Sequence, residues 1–212
     1  MRKVALFSGG KDSLYAALRE WPVDAFLILH YDFPYPSPHL VNLGATILTG
    51  ILTGVPVMVA KLRKGLEPTE TVEVLRKLNA GIVIAGDVYI EDHLRYMERV
   101  ASEAGAELRE PLWGEDPLEL LHREVKAGID TLVTGVINGL EELLGVKLNI
   151  ESLEQFIGKL MERGIDPLGE NGEYHTLVLN SPVHTSRLRV RVAGEVTSGR
   201  GRILKVIPES IT

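Results

Sequence analysis

Six residues, Ser8-Gly9-Gly10-Lys11-Asp12-Ser13, constrain this chain more than any others. They follow a short apolar run, Val4-Ala5-Leu6-Phe7, that reads as a buried strand, and precede Leu14-Tyr15-Ala16-Ala17-Leu18, whose spacing is helical. A glycine pair between a strand and a helix lets the backbone curl until several N–H groups converge on one point. The helix behind adds the positive end of its dipole, and the product is an anion cradle. The hydroxyls of Ser8 and Ser13 and the ammonium of Lys11 add donors suited to phosphate oxygens. An ordinary strand-to-helix turn needs one glycine and a capping Ser or Asp, which leaves the second Gly, the Lys and the second Ser unexplained. The loop has neither the Walker spacing nor the Gly-x-Gly-x-x-Gly dinucleotide fingerprint, which argues against a nicotinamide or flavin enzyme.

Apolar β-type runs recur at Val4–Phe7, Ala25–His30, Val55–Ala60, Ile82–Ala85 and Thr131–Val136, with helical segments between them. Strands apolar on both faces that alternate with helices predict a parallel sheet covered by helices. Ligands of such sheets sit beyond the carboxyl ends of the strands. The segments expected there are the glycine loop, His30–Pro38, Lys61–Glu67, Gly86–Asp92 and Gly135–Gly139. Leu40–Ala60 holds no charged residue, but Gly44, Gly50, Gly54 and Pro56 punctuate it. A buried helix followed by a buried strand at Val55–Val59 is expected there rather than a membrane span. The tail has another rhythm: a helix at Ser152–Arg163, a break at Gly164–Pro167, then short strands at His175–Leu179, Leu188–Val192 and Ile203–Val206. Ser198-Gly199 offers a hairpin turn. The expected architecture is an α/β parallel-sheet domain over residues 1–112 and a smaller α+β domain over residues 113–212.

Composition narrows the function. With 212 residues, 45% hydrophobic and 25% charged, the chain has the make-up of a soluble globular protein able to bury a real core. Its net charge of −6 argues against a standing nucleic-acid interface. It has no cysteine, which excludes a disulfide framework, a thiolate metal site and a cysteine nucleophile. Met1-Arg2-Lys3 runs straight into the first strand, so no signal peptide is read and a cytoplasmic location is expected.

A second run, Gly169-Glu170-Asn171-Gly172-Glu173-Tyr174-His175-Thr176, brackets carboxylates, an amide, a phenol, an imidazole and a hydroxyl between and beyond two glycines. A loop that only had to turn needs one glycine and an asparagine. Asp87, one residue past Ile82–Gly86, stands at the expected ligand edge, where it either holds a ligand or Mg²⁺ or caps the following helix. Asp12 is a candidate magnesium ligand, since an ion bridging phosphates takes one or two protein carboxylates. His30, His39 and His93 lack the spacing of a zinc site.

Ser8–Ser13 resembles the PP-loop of the ATP pyrophosphatase superfamily. Together with Gly169–Thr176, Gly86-Asp87 and Pro111-Leu112-Trp113, it resembles the diphthine–ammonia ligase family over nearly the whole chain. The resemblance implies a PP-loop α/β fold (adenine nucleotide α-hydrolase-like) and ATP with Mg²⁺ as cofactors. It also implies amidation of diphthine, the modified histidine of translation elongation factor two, by ammonium, with AMP and pyrophosphate released. Ser8, Gly9, Gly10, Lys11, Asp12, Ser13 and His30 are then expected to bind the nucleotide, with His39 at the position of a family histidine near it. Lys11, Asp12 and Glu173 are expected to be catalytic, and Asp12 to hold the metal. Asp87, Glu170, Asn171, Glu173, Tyr174 and His175 are expected to orient the acceptor or ammonium. The elongation factor and ammonium are the expected partners, without stable nucleic acid or a membrane, and a homo-oligomer is compatible with the sequence.

Family members acting on diphthine follow Gly-Asp with a Ser and a Tyr-Gln-Arg cluster, whereas here Ile90 and Asp92-His93-Leu94 follow. The variant Glu91-Asp92-His93, with Asn171 and His175 in the second run, is reminiscent of a sister group associated with cobalamin metabolism. Amidation or activation of another acceptor, and a nucleotide sensor without turnover, are the alternatives. The full donor set Ser8, Lys11, Asp12 and Ser13 argues against the sensor.

Overall fold

The computed structural model describes residues 1–31 and 35–209. In chain order the elements are β1 (Arg2–Leu6), α1 (Lys11–Arg19), β2 (Ala25–His30), α2 (Pro38–Val41), α3 (Leu43–Ile51), β3 (Val57–Lys61), α4 (Glu67–Lys77), β4 (Ala80–Ile84), α5 (Glu91–Ala104) and β5 (Glu107–Arg109). They continue with α6 (Pro117–Lys126), β6 (Asp130–Ile137), β7 (Lys147–Leu148), α7 (Leu153–Glu162), β8 (Tyr174–Asn180), β9 (Val190–Ser198) and β10 (Gly201–Pro208). The chain forms two compact units that are discontinuous in sequence, which a single cut at residue 112 does not convey. One holds residues 1–8, 12–34 and 55–114, and the other residues 9–11, 35–54 and 115–212.

The N-terminal unit is a five-stranded sheet in the order β3-β2-β1-β4-β5, every pairing parallel. Central β1 carries Val4 and Ala5 with no exposed surface, as a strand covered on both faces must. Val72 and Leu75 on α4 and Met97, Val100 and Ala101 on α5 recur at helical spacing and close one core with Val4, Leu27 and Val83. Helix α5 stops at Gly105, whose φ of +79° supplies the left-handed cap that a side chain would resist. Strand β3 departs from expectation. It is an edge strand, with Met58 and Val59 each 41% exposed, so the apolar run that reads as buried is only half covered. Short β5 carries Glu107 and Arg109 and has no apolar run to announce it.

The C-terminal unit is an antiparallel sheet around β6. Strand β8 runs along one of its edges, while β7 at its start and β10 at its end share the other, and β9 pairs with β10. The fifth apolar run, Thr131–Val136, expected in the parallel sheet, is the middle of β6 and belongs here. Its burial on both faces gives it a parallel-sheet pattern although all its neighbours are antiparallel. Segment 35–54 also belongs to this unit. Ala45 and Leu52 join Leu132, Leu177, Leu179, Leu188, Leu204 and Val206 in its core, with Leu48 packed against it. Buried Asn42 serves as a short strand partner: its Nδ2 donates to the Leu204 carbonyl and its Oδ1 accepts from the Val206 N–H, both at 2.9 Å. Asp116 caps α6 by accepting from the N–H groups of Leu118 and Glu119 at 3.0 Å, ahead of Pro117. That cap contributes about 1 kcal/mol. Among the described residues no helix is long and apolar enough to cross a membrane.

Candidate active site

In the N-terminal unit the chain builds outward from β1 through β2 to β3, then returns to the other edge of β1 with β4 and β5. The direction of winding reverses between β1 and β4, and the carboxyl ends of these two strands flank the crevice where open parallel sheets bind ligands. Ser8 leaves β1, and Gly86-Asp87 leaves β4. The Ser8 N–H donates to Ser13 Oγ at 3.2 Å and the two hydroxyl oxygens lie 3.1 Å apart, so the first turn of α1 folds back on the start of the loop. A Cβ on Gly86 would stand 3.1 Å from the Asp12 carbonyl oxygen and 3.3 Å from Ala16 Cβ, which explains a glycine at this close approach.

Asp87 does not cap α5. The cap position is Ile90, which makes no side-chain bond. Instead the Asp87 N–H donates to Glu110 Oε2 at 3.2 Å, and its Oδ1 lies 3.1 Å from Nδ1 of His93, on the first turn of α5. His30 ends β2, half-buried, its carbonyl accepting from the Leu62 N–H at 2.9 Å. Of the expected edge segment His30–Pro38, residues 32–34 lie outside the described residues. Tyr31, at the same edge, is a donor that residue patterning did not single out. Burial, reinforced by Tyr96 and the Glu67 carboxylate, lifts its phenol well above the usual tyrosine value, so it keeps its proton.

In the C-terminal unit Gly9–Lys11 lie against β8 and the loop before it. The Gly9 carbonyl accepts from the Val178 N–H at 2.8 Å, and the Lys11 N–H donates to Thr176 Oγ1 at 3.1 Å. Gly9 has φ +79°, and a Cβ there would stand 2.9 Å from Thr46 Cγ2. Lys11 differs from expectation. Its side chain turns inward, 1% exposed, with Nζ 3.4 Å from Glu124 Oε2, 3.2 Å from the Leu168 carbonyl and 5.7 Å from the centre of the Tyr174 ring.

The second run is a built loop. Asp166 Oδ1 accepts from the N–H groups of Leu168 and Gly169 at 2.6 and 3.1 Å, starting the turn. Gly169 has φ +73°, and a Cβ there would stand 2.7 Å from Tyr174 Cδ1. Tyr174, expected to face the acceptor, is only 3% exposed and its hydroxyl donates to the Pro167 carbonyl at 2.5 Å, because its ring fills the space beside Phe156. Glu173 is half-buried. Its Oε1 accepts from Asn171 Nδ2 at 3.2 Å, while its Oε2 is shielded from solvent with no hydrogen bond among the described residues. Half-buried His175 meets His39 edge-on, ring centres 5.2 Å apart, and Glu170 is half-buried.

Sequence reasoning missed Glu124. The signal was there: Leu120, Leu121, Glu124 and Val125 share the apolar stripe of α6, so a carboxylate sits where a hydrophobic residue belongs. Among the described residues no three His, Asp or Glu side chains gather into a metal cage.

A glycine loop at the switch point of a five-stranded parallel sheet, with a carboxylate at the neighbouring strand end, defines a PP-loop-type α/β fold. Residues 1–108 match the diphthamide synthase N-terminal domain and residues 116–204 the diphthamide synthase C-terminal domain. The chain belongs to the diphthamide synthase family, and with it to the ATP-utilising PP-loop enzymes of diphthamide synthesis. No curated protein matches the sequence. Among solved structures it is similar to one described as a predicted subunit of tRNA methyltransferase from Methanocaldococcus jannaschii. The likeness has 16% identity and a TM-score of 0.43 over 86% of this chain and 98% of that one.

Proposed function

We propose that the protein is an ATP-dependent amide-forming ligase that converts diphthine, ammonium and ATP into diphthamide, AMP and pyrophosphate. The observation that carries this reading is the Ser8–Ser13 loop at the switch point, in a chain whose two halves both match diphthamide synthase domains. The acceptor carboxylate attacks the α-phosphorus of ATP, the bond to the bridging oxygen of the β-phosphate breaks, and pyrophosphate leaves. Ammonium gives up a proton, the resulting ammonia attacks the acyl carbon, the bond to the AMP oxygen breaks, and the nitrogen releases a second proton. Adenylation matters because a free carboxylate oxygen is a very poor leaving group, whereas AMP is a good one.

The backbone N–H groups of the loop and the α1 dipole stabilise charge on the departing pyrophosphate. Magnesium, when bound, neutralises phosphate charge, and Asp12 is the residue that would hold it. The shielded Oε2 of Glu173 is suited to a cationic partner, either ammonium or the trimethylammonium group of diphthine. The deciding experiment incubates the protein with diphthine-bearing elongation factor two, ATP, Mg²⁺ and ammonium, followed by mass spectrometry of the factor and nucleotide analysis. Conversion of the acid to the amide with AMP and pyrophosphate is expected; ADP with orthophosphate would sink the reading.

One observation favours a second acceptor for the same chemistry. His93, where diphthine-type members carry another cluster, pairs with Asp87 at the ligand edge and changes the charge and shape presented there. An unmodified factor, accompanied by AMP release on adding a corrinoid carboxylate, would support that reading.

A further inference from the structure

Among the described residues, only Lys11 and Glu124 are both charged and buried. Taking two charges out of water costs several kcal/mol per ion, recovered only when geometry and extra hydrogen bonds are good. Here they are supplied from three places in the C-terminal unit. Glu124 comes from the apolar face of α6, Leu168 offers its carbonyl from the loop, and Tyr174 lays its ring under the ammonium from β8. The backbone on either side of the pair is pinned as well, Gly9 to Val178 and Lys11 to Thr176. For the ammonium to reach a phosphate it would have to leave this nest and give up its buried ion pair with Glu124.

We propose that Glu124 is a positioning residue of the glycine loop: it holds the Lys11 ammonium inside the C-terminal unit and so sets the backbone course of Gly9–Lys11. Lys11 is then a brace, and the phosphates are read by backbone N–H groups and the loop hydroxyls rather than by its ammonium. The functional consequence rests on the reading that this loop binds ATP, but the bracing itself does not. A carboxylate buried in the C-terminal unit thereby governs nucleotide affinity, through a lysine that local sequence suggests as a direct ligand.

The test compares E124Q, K11M and the double variant K11M/E124L in the full chain. It uses calorimetric binding of α,β-methylene-ATP with Mg²⁺, and hydrogen exchange of the Gly10 and Lys11 amides without ligand. Each single variant removes one half of a buried ion pair, whereas the apolar pair of similar volume replaces both halves together. E124Q and K11M should each bind the analogue about tenfold or more weaker and exchange these amides faster. The double variant should return to within about threefold of wild-type affinity, with protection restored, the rescue expected when an apolar pair replaces a buried ion pair. A folded double variant that binds as poorly as K11M makes the ammonium a phosphate ligand and overturns the proposal. Unchanged amide protection in E124Q overturns it whether or not ATP binds. Wild-type protein that fails to bind the analogue, with the exchange pattern as expected, refutes the ATP reading and leaves the brace.

Discussion

Lowering the pH should weaken the C-terminal unit through His184, and the hydrogen bonds around its ring fix the sign. Thr49 Oγ1 donates its single proton to the Val178 carbonyl at 2.7 Å, so toward His184 Nε2, 3.0 Å away, it can only accept. Nε2 therefore carries the ring proton. Nδ1 is bare and accepts from the Ser181 hydroxyl at 2.6 Å. A second ring proton would break the Ser181 bond and place a charge in a half-buried site. Burial accordingly lowers the pKa of His184 from 6.5 to about 4, with the Thr49 backbone opposing. The unfolded chain binds a proton that the folded chain refuses between these values. The stability is fully present above pH 6.5 and is lost as pH falls toward 4. A full shift would amount to about 3 kcal/mol, and water reaching the half-buried ring reduces this to about 2 kcal/mol.

The assay is urea unfolding at pH 7.5, 6.5, 5.5 and 4.5 for wild type and His184→Gln, which keeps a donor for Thr49 but cannot titrate. The other five histidines are present in both proteins, so the difference between the curves isolates His184. Trp21 and Trp113 both lie in the N-terminal unit, so far-UV circular dichroism, not tryptophan fluorescence alone, must follow the transition. Wild type should lose about 2 kcal/mol more than the variant between pH 7.5 and 4.5. Imidazole nitrogen NMR should show a neutral Nε2–H ring that titrates near pH 4. A ring protonated on Nδ1, or a midpoint at the unperturbed value, would refute the reasoning.

Replacing Asp12 or Ser13 with Ala should abolish AMP formation while the thermal transition stays in place; AMP release at the wild-type rate by both variants would remove the loop from the chemistry. Glu173→Ala should raise the KM for acceptor or ammonium about tenfold, the worth of one charge-assisted hydrogen bond, with ATP affinity little changed, as separate titrations of each substrate would show. Gly9→Ala forces a side chain into a left-handed conformation, costing about 1–2 kcal/mol, and sets its Cβ 2.9 Å from Thr46 Cγ2. A lower melting temperature is expected, and an unchanged one would mean that the loop relaxes freely.

Much of the fold was legible because it is written locally. The glycine pair after an apolar run and the helical spacing of Leu14–Leu18 that follows it depend on neighbours a few residues away. So does the turn between β9 and β10, which falls where Ser198-Gly199 places it. The apolar run Thr131–Val136 shows why the rest was not: it records burial on both faces but not the direction of the strands beside it. That direction is set by β8 and β10, which come much later in the chain. Asn42 reads as an ordinary loop amide until Leu204 and Val206 arrive to share its side chain. Lys11 reads as a phosphate donor because the sequence shows a flexible cation in a glycine loop. Only the tertiary structure brings Glu124 within 3.4 Å of it, and in a site closed to water the favourable place for a charge is beside its opposite.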